Sequence, residues 1–463
     1  MKGRPNLLYI FADQMRACDM ACAGNPDVST PNLDRLAAEG VRFNNATSCI
    51  PVCTPARACL LTGRFPLSTG MFLNDLQLST RERSIAHVLA DEDYETAYVG
   101  KWHLDGGNRW AFTPPGPRRQ GFDHWHAINC DHRDYLDPVY YQGDSSDPVR
   151  PEVYATDWET DTALNCIDTM TGTDQDHNPW ALVLSWSTPH NPYQQLPDRW
   201  IDSYDPATLE LRANAADTEE HRRDLSGYYA HISALDEALG RLLDGLDQRG
   251  LTEDTIVVFT SDHGDMLGSH GAYRKQWPWD ESALVPLIVR WPTDLGTGET
   301  CDVPFSTEDT APTLLSWMGL ETPETMEGRD LTGAIAGHEA APLSSVLMSI
   351  TPFSENRGDA WRGVRTDRHT FVRKASGPWL LYDNLQDPCQ LKNLVDDPAC
   401  KAIRSALEKE LDRWLELLGD SFEAPEAYVR RYGYEVEAGN SAPHSYDLEM
   451  PQPLIHARRR DEL

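Results

Sequence analysis

The chain has 463 residues, 40% of them hydrophobic with 14 Trp, and a formal net charge of −32. That balance excludes the basic footprint by which nucleic acid or an anionic membrane is bound, and no apolar run approaches the length needed to span a bilayer. The length exceeds one ordinary core and predicts two packed units, or one large domain with an appendage.

Asn6 to Ala12 reads as a buried parallel strand ending at Asp13. This run is too short for the apolar segment of a signal peptide. The chain as it stands therefore reads as cytoplasmic, or as periplasmic or secreted if a leader has been removed. A short helix is predicted over 31–39, with Thr30 as its cap, Pro31 in its first turn and Gly40 at its end. Thr54-Pro55 opens another helix directly after Cys53. Cys53 is thereby put at a helix N-terminus, where backbone N–H groups and the dipole favour an anion.

Further strands are predicted at Thr96 to Val99, Ala181 to Ser187, Thr255 to Ser261 and Leu284 to Val289. Residues 104–160 are rich in Pro, Gly, Trp, Tyr, His and Arg with weak periodicity. They read as a long insertion, a candidate substrate loop, rather than a core element. Ile232, Leu235, Leu239, Leu242, Leu243 and Leu246 mark one face of a helix ended by Gly250. Strands alternating with helices imply an α/β fold with a mostly parallel sheet. Asp13 and Asp262 fall at the carboxyl ends of its strands, where such sheets place ligands.

The texture shifts near residue 345, which divides the chain into 1–345 and 346–463. Arg362 to Val372 alternates like an antiparallel strand, and Ile403, Leu407, Leu411, Trp414, Leu415 and Leu418 share one helix face. The last forty residues are polar and aromatic without period.

Ten cysteines are even in number, but a chain this large needs no disulfide staples and no paired CxxC spacing suggests zinc. They read as reduced core residues. Lysine is scarce, 7 against 34 Arg, and Lys101 is the only lysine between residues 2 and 275.

Cys53-Thr54-Pro55-Ala56-Arg57, followed by Leu60-Leu61-Thr62-Gly63-Arg64, resembles the signature of the formylglycine-dependent (type I) sulfatases of the alkaline phosphatase superfamily. Other strings extend the resemblance: Gly100-Lys101-Trp102-His103, Pro189-His190-Asn191-Pro192, Asp309 to Leu315 and Arg362 to Thr366. It implies a large α/β domain with a mostly parallel central sheet, plus a smaller C-terminal α+β domain with a short antiparallel sheet. It also implies that Cys53 is oxidised to formylglycine (3-oxoalanine) by a maturation enzyme.

A hard divalent cation needs oxygen-rich ligands, and strand-end carboxylates supply them. Asp13-Gln14 and the string Ser261-Asp262-His263-Gly264-Asp265, above all Asp262-His263, are the candidates. The family usually carries Asp-Asp at the first pair, so Gln14 removes one negative charge. Calcium is the first expectation; manganese follows, because His263 offers nitrogen, and magnesium is a third.

The resemblance further assigns Arg57 to fixing the nucleophile and the metal carboxylates, and Lys101 and His103 to the sulfate and nucleophile. It gives His190 with Lys275 to the leaving alcohol and Asn74 to the substrate. Arg109 and Arg133, in the insertion, are candidate substrate contacts, since arginine suits sulfate and carboxylate groups. The expected activity is removal of sulfate from a small sulfated sugar or oligosaccharide. A phosphonate or phosphate diester hydrolase on the same scaffold, and a sulfate-binding protein with unmodified Cys53, stay open as alternatives. So does a choline-ester sulfatase.

Overall fold

The computed structural model describes residues 4–131, 134–172, 178–352 and 358–435. Arg133 and the end of the C-terminal tail lie outside them. The strands in chain order are β1 (Asn6–Ala12), β2 (Val41–Phe43), β3 (Ala46–Thr47), β4 (Glu95–Lys101) and β5 (His124–Ile128). Then come β6 (Tyr141–Gln142), β7 (Trp180–Ser185), β8 (Thr255–Ser261), β9 (Leu287–Arg290) and β10 (Glu299–Cys301). The rest are β11 (Phe305–Ser306), β12 (Ser345–Ser349), β13 (Trp361–Arg365), β14 (His369–Lys374) and β15 (Gly377–Asp383).

Nine strands form one sheet in the order β10-β2-β9-β8-β1-β7-β4-β5-β6. β1 is central and pairs in parallel with β7 and β8, while β9 and β6 run antiparallel to their neighbours. Both faces of β1 are covered. Leu7, Tyr9 and Phe11 enter one core, and Leu8, Ile10 and Ala12 enter the other. This is why the strand reads as an unbroken apolar run. The helices Ala155–Thr171 and Glu219–Gln248 lie on the second face. The Cys53–Thr62 helix and the four-stranded antiparallel sheet β12-β13-β14-β15 belong to the first.

Four local expectations change. Thr30 does not cap the Pro31–Ala38 helix; its hydroxyl accepts the Ala21 N–H, and Asp236 of the long helix accepts the N–H groups of Asn32 and Leu33 instead. The strand expected at Leu284 begins only at Leu287, because Asp280–Ala283 forms a helical turn. Arg362 to Val372 is two strands rather than one, β13 and β14 pairing in register from Trp361↔Lys374 to Arg365↔Thr370. The segment 104–160 is not irregular throughout, since it supplies β5 and β6 to the main sheet. Trp125 and Ala127 of β5 point into the core while His124 and His126 are only half-buried. That alternation spans too few residues to stand out among the surrounding Pro and Gly.

All ten cysteines are unpaired, and six of them are buried. Among the described residues no helix is long and apolar enough to cross a membrane.

Candidate active site

The neighbouring strands β8, β1, β7 and β4 deliver the site from their carboxyl ends. β1 runs into Asp13-Gln14, β8 into Asp262-His263, β7 into the turn carrying His190, and β4 ends at Lys101. Gly100 is required there. Its φ is +100°, and a Cβ would stand 2.0 Å from the Ser185 carbonyl oxygen.

Cys53 is the first residue of its helix and is buried. Val52 caps nothing with its side chain. Asn74 Oδ1 accepts the Thr54 N–H at 3.1 Å instead, so the amide expected to face substrate also closes the end of the nucleophile's helix. Cys53 Sγ lies 3.1 Å from His263 Nε2 and 4.0 Å from Asp13 Oδ1. Burial alone would raise the thiol's pKa, but Lys101 and Lys275 hold it well below the ordinary cysteine value.

Arg57, one turn along, is fully buried. Its guanidinium donates to Asp262 Oδ2 at 3.0 Å, Asp13 Oδ2 at 3.2 Å, the Lys101 carbonyl at 2.9 Å and Ser185 Oγ at 2.6 Å. The Lys101 ammonium donates to the same Asp13 oxygen. Asp13 is thus held far below the carboxylate range: burial opposes its charge, and Lys101 and Arg57 outweigh that.

Asp13, Cys53, Asp262 and His263 converge so that one ligand atom from each lies within 4.8 Å of all the others. Three features make this set fit a divalent cation. Two carboxylates face one point. His263 Nδ1 donates to the Gly264 carbonyl at 2.9 Å, which leaves the Nε2 lone pair toward that point. Asp262 Oδ1 is itself fixed by the N–H groups of Gln14 at 3.1 Å and His263 at 2.9 Å.

Gln14 sits at φ 73°. Its amide nitrogen donates to Asp265 Oδ2 at 2.7 Å, and its oxygen accepts from Lys275 Nζ at 2.8 Å. One lone pair of that oxygen is therefore committed to Lys275. Lys275 also donates to His190 Nε2 at 2.9 Å, while His190 Nδ1 faces the Asn191 carbonyl at 2.7 Å. Burial and the Lys275 charge both lower the His190 pKa, so this ring is neutral and accepts at Nε2.

On the other side, His103 Nε2 is 2.9 Å from Asp75 Oδ1, and Arg109 donates to both Asp75 oxygens at 2.7 Å. The structure thus gathers around Cys53 the candidates named from the sequence that fall within the described residues; Arg133 lies outside them. It adds Asp75 and Ser185, which carry no motif signal of their own.

The family described as Sulfatase matches residues 5–320, and the one described as N-sulphoglucosamine sulphohydrolase, C-terminal, matches 268–416. The chain is 40% identical over 438 residues to an ulvan-active sulfatase of Formosa agariphila, covering 93% of this chain and 85% of that protein. It is 26% identical over 500 residues to an N-acetylglucosamine-6-O-sulfatase of Bacteroides thetaiotaomicron, covering 89% and 86%. The crystal structure of yidJ from Bacteroides fragilis superposes with a TM-score of 0.81 at 31% identity, covering 92% of this chain and 98% of that one. With a nucleophile position, an acidic pair and two lysines meeting at the strand ends, and a family match across two thirds of its length, this chain belongs to the sulfatase family.

Proposed function

We propose that this sulfuric ester hydrolase removes sulfate from a small sulfated sugar or oligosaccharide, with Cys53 converted to formylglycine by a maturation enzyme. The observation that carries the reading is the convergence on Cys53 of two carboxylates, an imidazole and the Lys101 and Lys275 charges at one helix N-terminus. The carbohydrate class is supported by relatives named for ulvan and for N-acetylglucosamine 6-O-sulfate.

A divalent cation held by Asp13, Asp262, His263 and the Gln14 amide would stabilise charge on the sulfuryl oxygens and acidify the attacking hydroxyl. Calcium is the proposed ion, since most of these donors are hard oxygens. Formylglycine supplies, once hydrated, a second hydroxyl that lets sulfate be expelled, where a serine would remain as a stable ester.

The chain's own residues do the rest. Arg57 holds both carboxylates in place by charge-assisted hydrogen bonds. Lys101, fixed on Asp13, contributes positive charge beside position 53. Lys275, shared between Gln14 and His190, holds a proton for the leaving oxygen, because a sugar alkoxide is a poor leaving group. Arg109 and Asn74 are the proposed substrate contacts among the described residues.

The test is mass spectrometry of the Cys53 peptide from protein matured in its native host, followed by sulfate release from sulfated saccharides and turnover of a phosphonate monoester. Thiol-to-aldehyde conversion with saccharide desulfation is expected. Unmodified Cys53 without turnover, or faster turnover of the phosphonate, overturns the reading.

A further inference from the structure

Asp75 is not part of any recognisable motif, yet it is buried at the edge of the site with a side chain that is 0% exposed. Its φ is 64°, a left-handed conformation uncommon outside glycine and found where surroundings enforce it. Three elements do so. Its N–H donates to Thr54 Oγ1 at 3.1 Å, in the first turn of the Cys53 helix. Its Oδ1 meets His103 Nε2 at 2.9 Å. Arg109, from the segment after β4, closes a fork on both carboxylate oxygens at 2.7 Å.

His103 is likewise constrained. It follows β4 at φ 57°, and its N–H bonds the Asn129 carbonyl. Its other ring nitrogen, Nδ1, is buried on the side away from Asp75. The ring hydrogen-bonds toward the thiols at 53 and 130.

We propose that Asp75 is the positioning residue of the site: by occupying His103 Nε2 it fixes the orientation of the ring and turns Nδ1 toward the group transferred at position 53. Through Thr54 it locks that ring to the nucleophile's own helix, and Arg109 supplies the countercharge that keeps the carboxylate ionised. This rests on the hydrolase reading above. A buried carboxylate that holds an active-site histidine by one ring nitrogen acts through orientation rather than by touching substrate.

The experiment compares wild type with Asp75→Asn, His103→Gln and the double variant. Formylglycine content is checked in each, and kinetics are run on a sulfated oligosaccharide. Asp75→Asn should lower kcat about 100-fold. Its KM should change by no more than about 3-fold. In the His103→Gln background the Asp75 change should cost almost nothing further. Losses that multiply in the double variant, or an Asp75→Asn effect confined to KM, overturn the proposal.

A second readout needs no turnover. The downfield ring N–H proton of His103, assigned by its loss in His103→Gln, should be present in wild type and shifted upfield or lost in Asp75→Asn. If it is unchanged, Asp75 does not position the ring. If wild type shows this proton but releases no sulfate, the hydrolase reading fails while the Asp75–His103 coupling stands.

Discussion

Replacing Arg57 by alanine tests whether the centre is held as a charge-balanced unit. The guanidinium is fully buried and is shared between Asp13 and Asp262 at 3.2 and 3.0 Å. Without it Asp13 keeps Lys101, whereas Asp262 keeps the Gln14 and His263 N–H groups and the His263 ring 3.6 Å away. Removing one partner of a buried ion pair costs about 3–5 kcal/mol, because the remaining charge is uncompensated. A folding entropy of about 2.1 cal/mol/K per residue gives about 1 kcal/mol/K for 463 residues, so the unfolding midpoint in EDTA should fall by about 3–5 °C. Saturating calcium should narrow this gap, since a cation bound at Asp13, Asp262 and His263 replaces the missing positive charge and binds only the folded chain. Scanning calorimetry with EDTA and with calcium reads both effects. A midpoint in EDTA within about 1 °C of wild type, or calcium stabilising wild type more than the variant, would refute the reasoning.

Three further outcomes follow from the same geometry. Lys275→Ala removes the donor to His190 Nε2. It should slow saccharide desulfation by about 10²–10⁴-fold while sparing an aryl sulfate, whose leaving group needs no proton; equal losses on both would sink the leaving-group assignment. Cys53→Ser should release at most one sulfate per chain in a quench-flow assay, and sustained turnover would exclude the formylglycine requirement. Glu159, behind the His190 turn, accepts from Tyr140 and Ser187, both at 2.9 Å, yet burial raises its pKa to about 8. Folded chains therefore hold this proton through a window in which unfolded chains have lost it, from about pH 4.3 upward. Wild type loses stability as pH rises toward 8. Glu159→Gln cannot ionise, so its midpoint relative to wild type should rise between about pH 5 and about pH 9; a flat difference contradicts the burial argument.

What was legible in the chain tracks how local the cause is. The central strands announce themselves because both faces of β1, β7 and β8 are buried, so apolar residues run on without alternation. Cys53, Arg57, Lys101, His190 and Lys275 were legible as members of strings. Asp75 was not, since its role comes from partners at positions 54, 103 and 109 that meet only in space. The N-terminus of the Pro31–Ala38 helix misled for the same reason. Thr30 is a good cap by propensity, but Asp236, two hundred residues away, lies closer to the N–H groups that need it. β5 was hidden because five alternating residues cannot outweigh the Pro- and Gly-rich stretch around them, although Trp125 packs beside Tyr98 and Trp102 in the core.

A chain carrying −32 must still draw a sulfate ester into its interior. It does so by pairing charge locally instead of changing the overall sign. Asp13 is matched by Lys101 and Arg57, Asp262 by Arg57, and Asp75 by Arg109 with His103. Lys275 faces the neutral Gln14 amide, where the family usually has a second aspartate, and the neutral His190 ring. Its charge adds to the positive potential at position 53. Lys101 and Lys275 are the only lysines between residues 2 and 374, in a chain that otherwise uses arginine. An ammonium presents a compact charge with donors in several directions, so it can bridge acceptors from separate strand ends. Gln14 and Lys275 therefore work together. The amide lowers the negative charge of the cation site by one and accepts from Lys275, whose charge favours the incoming anion.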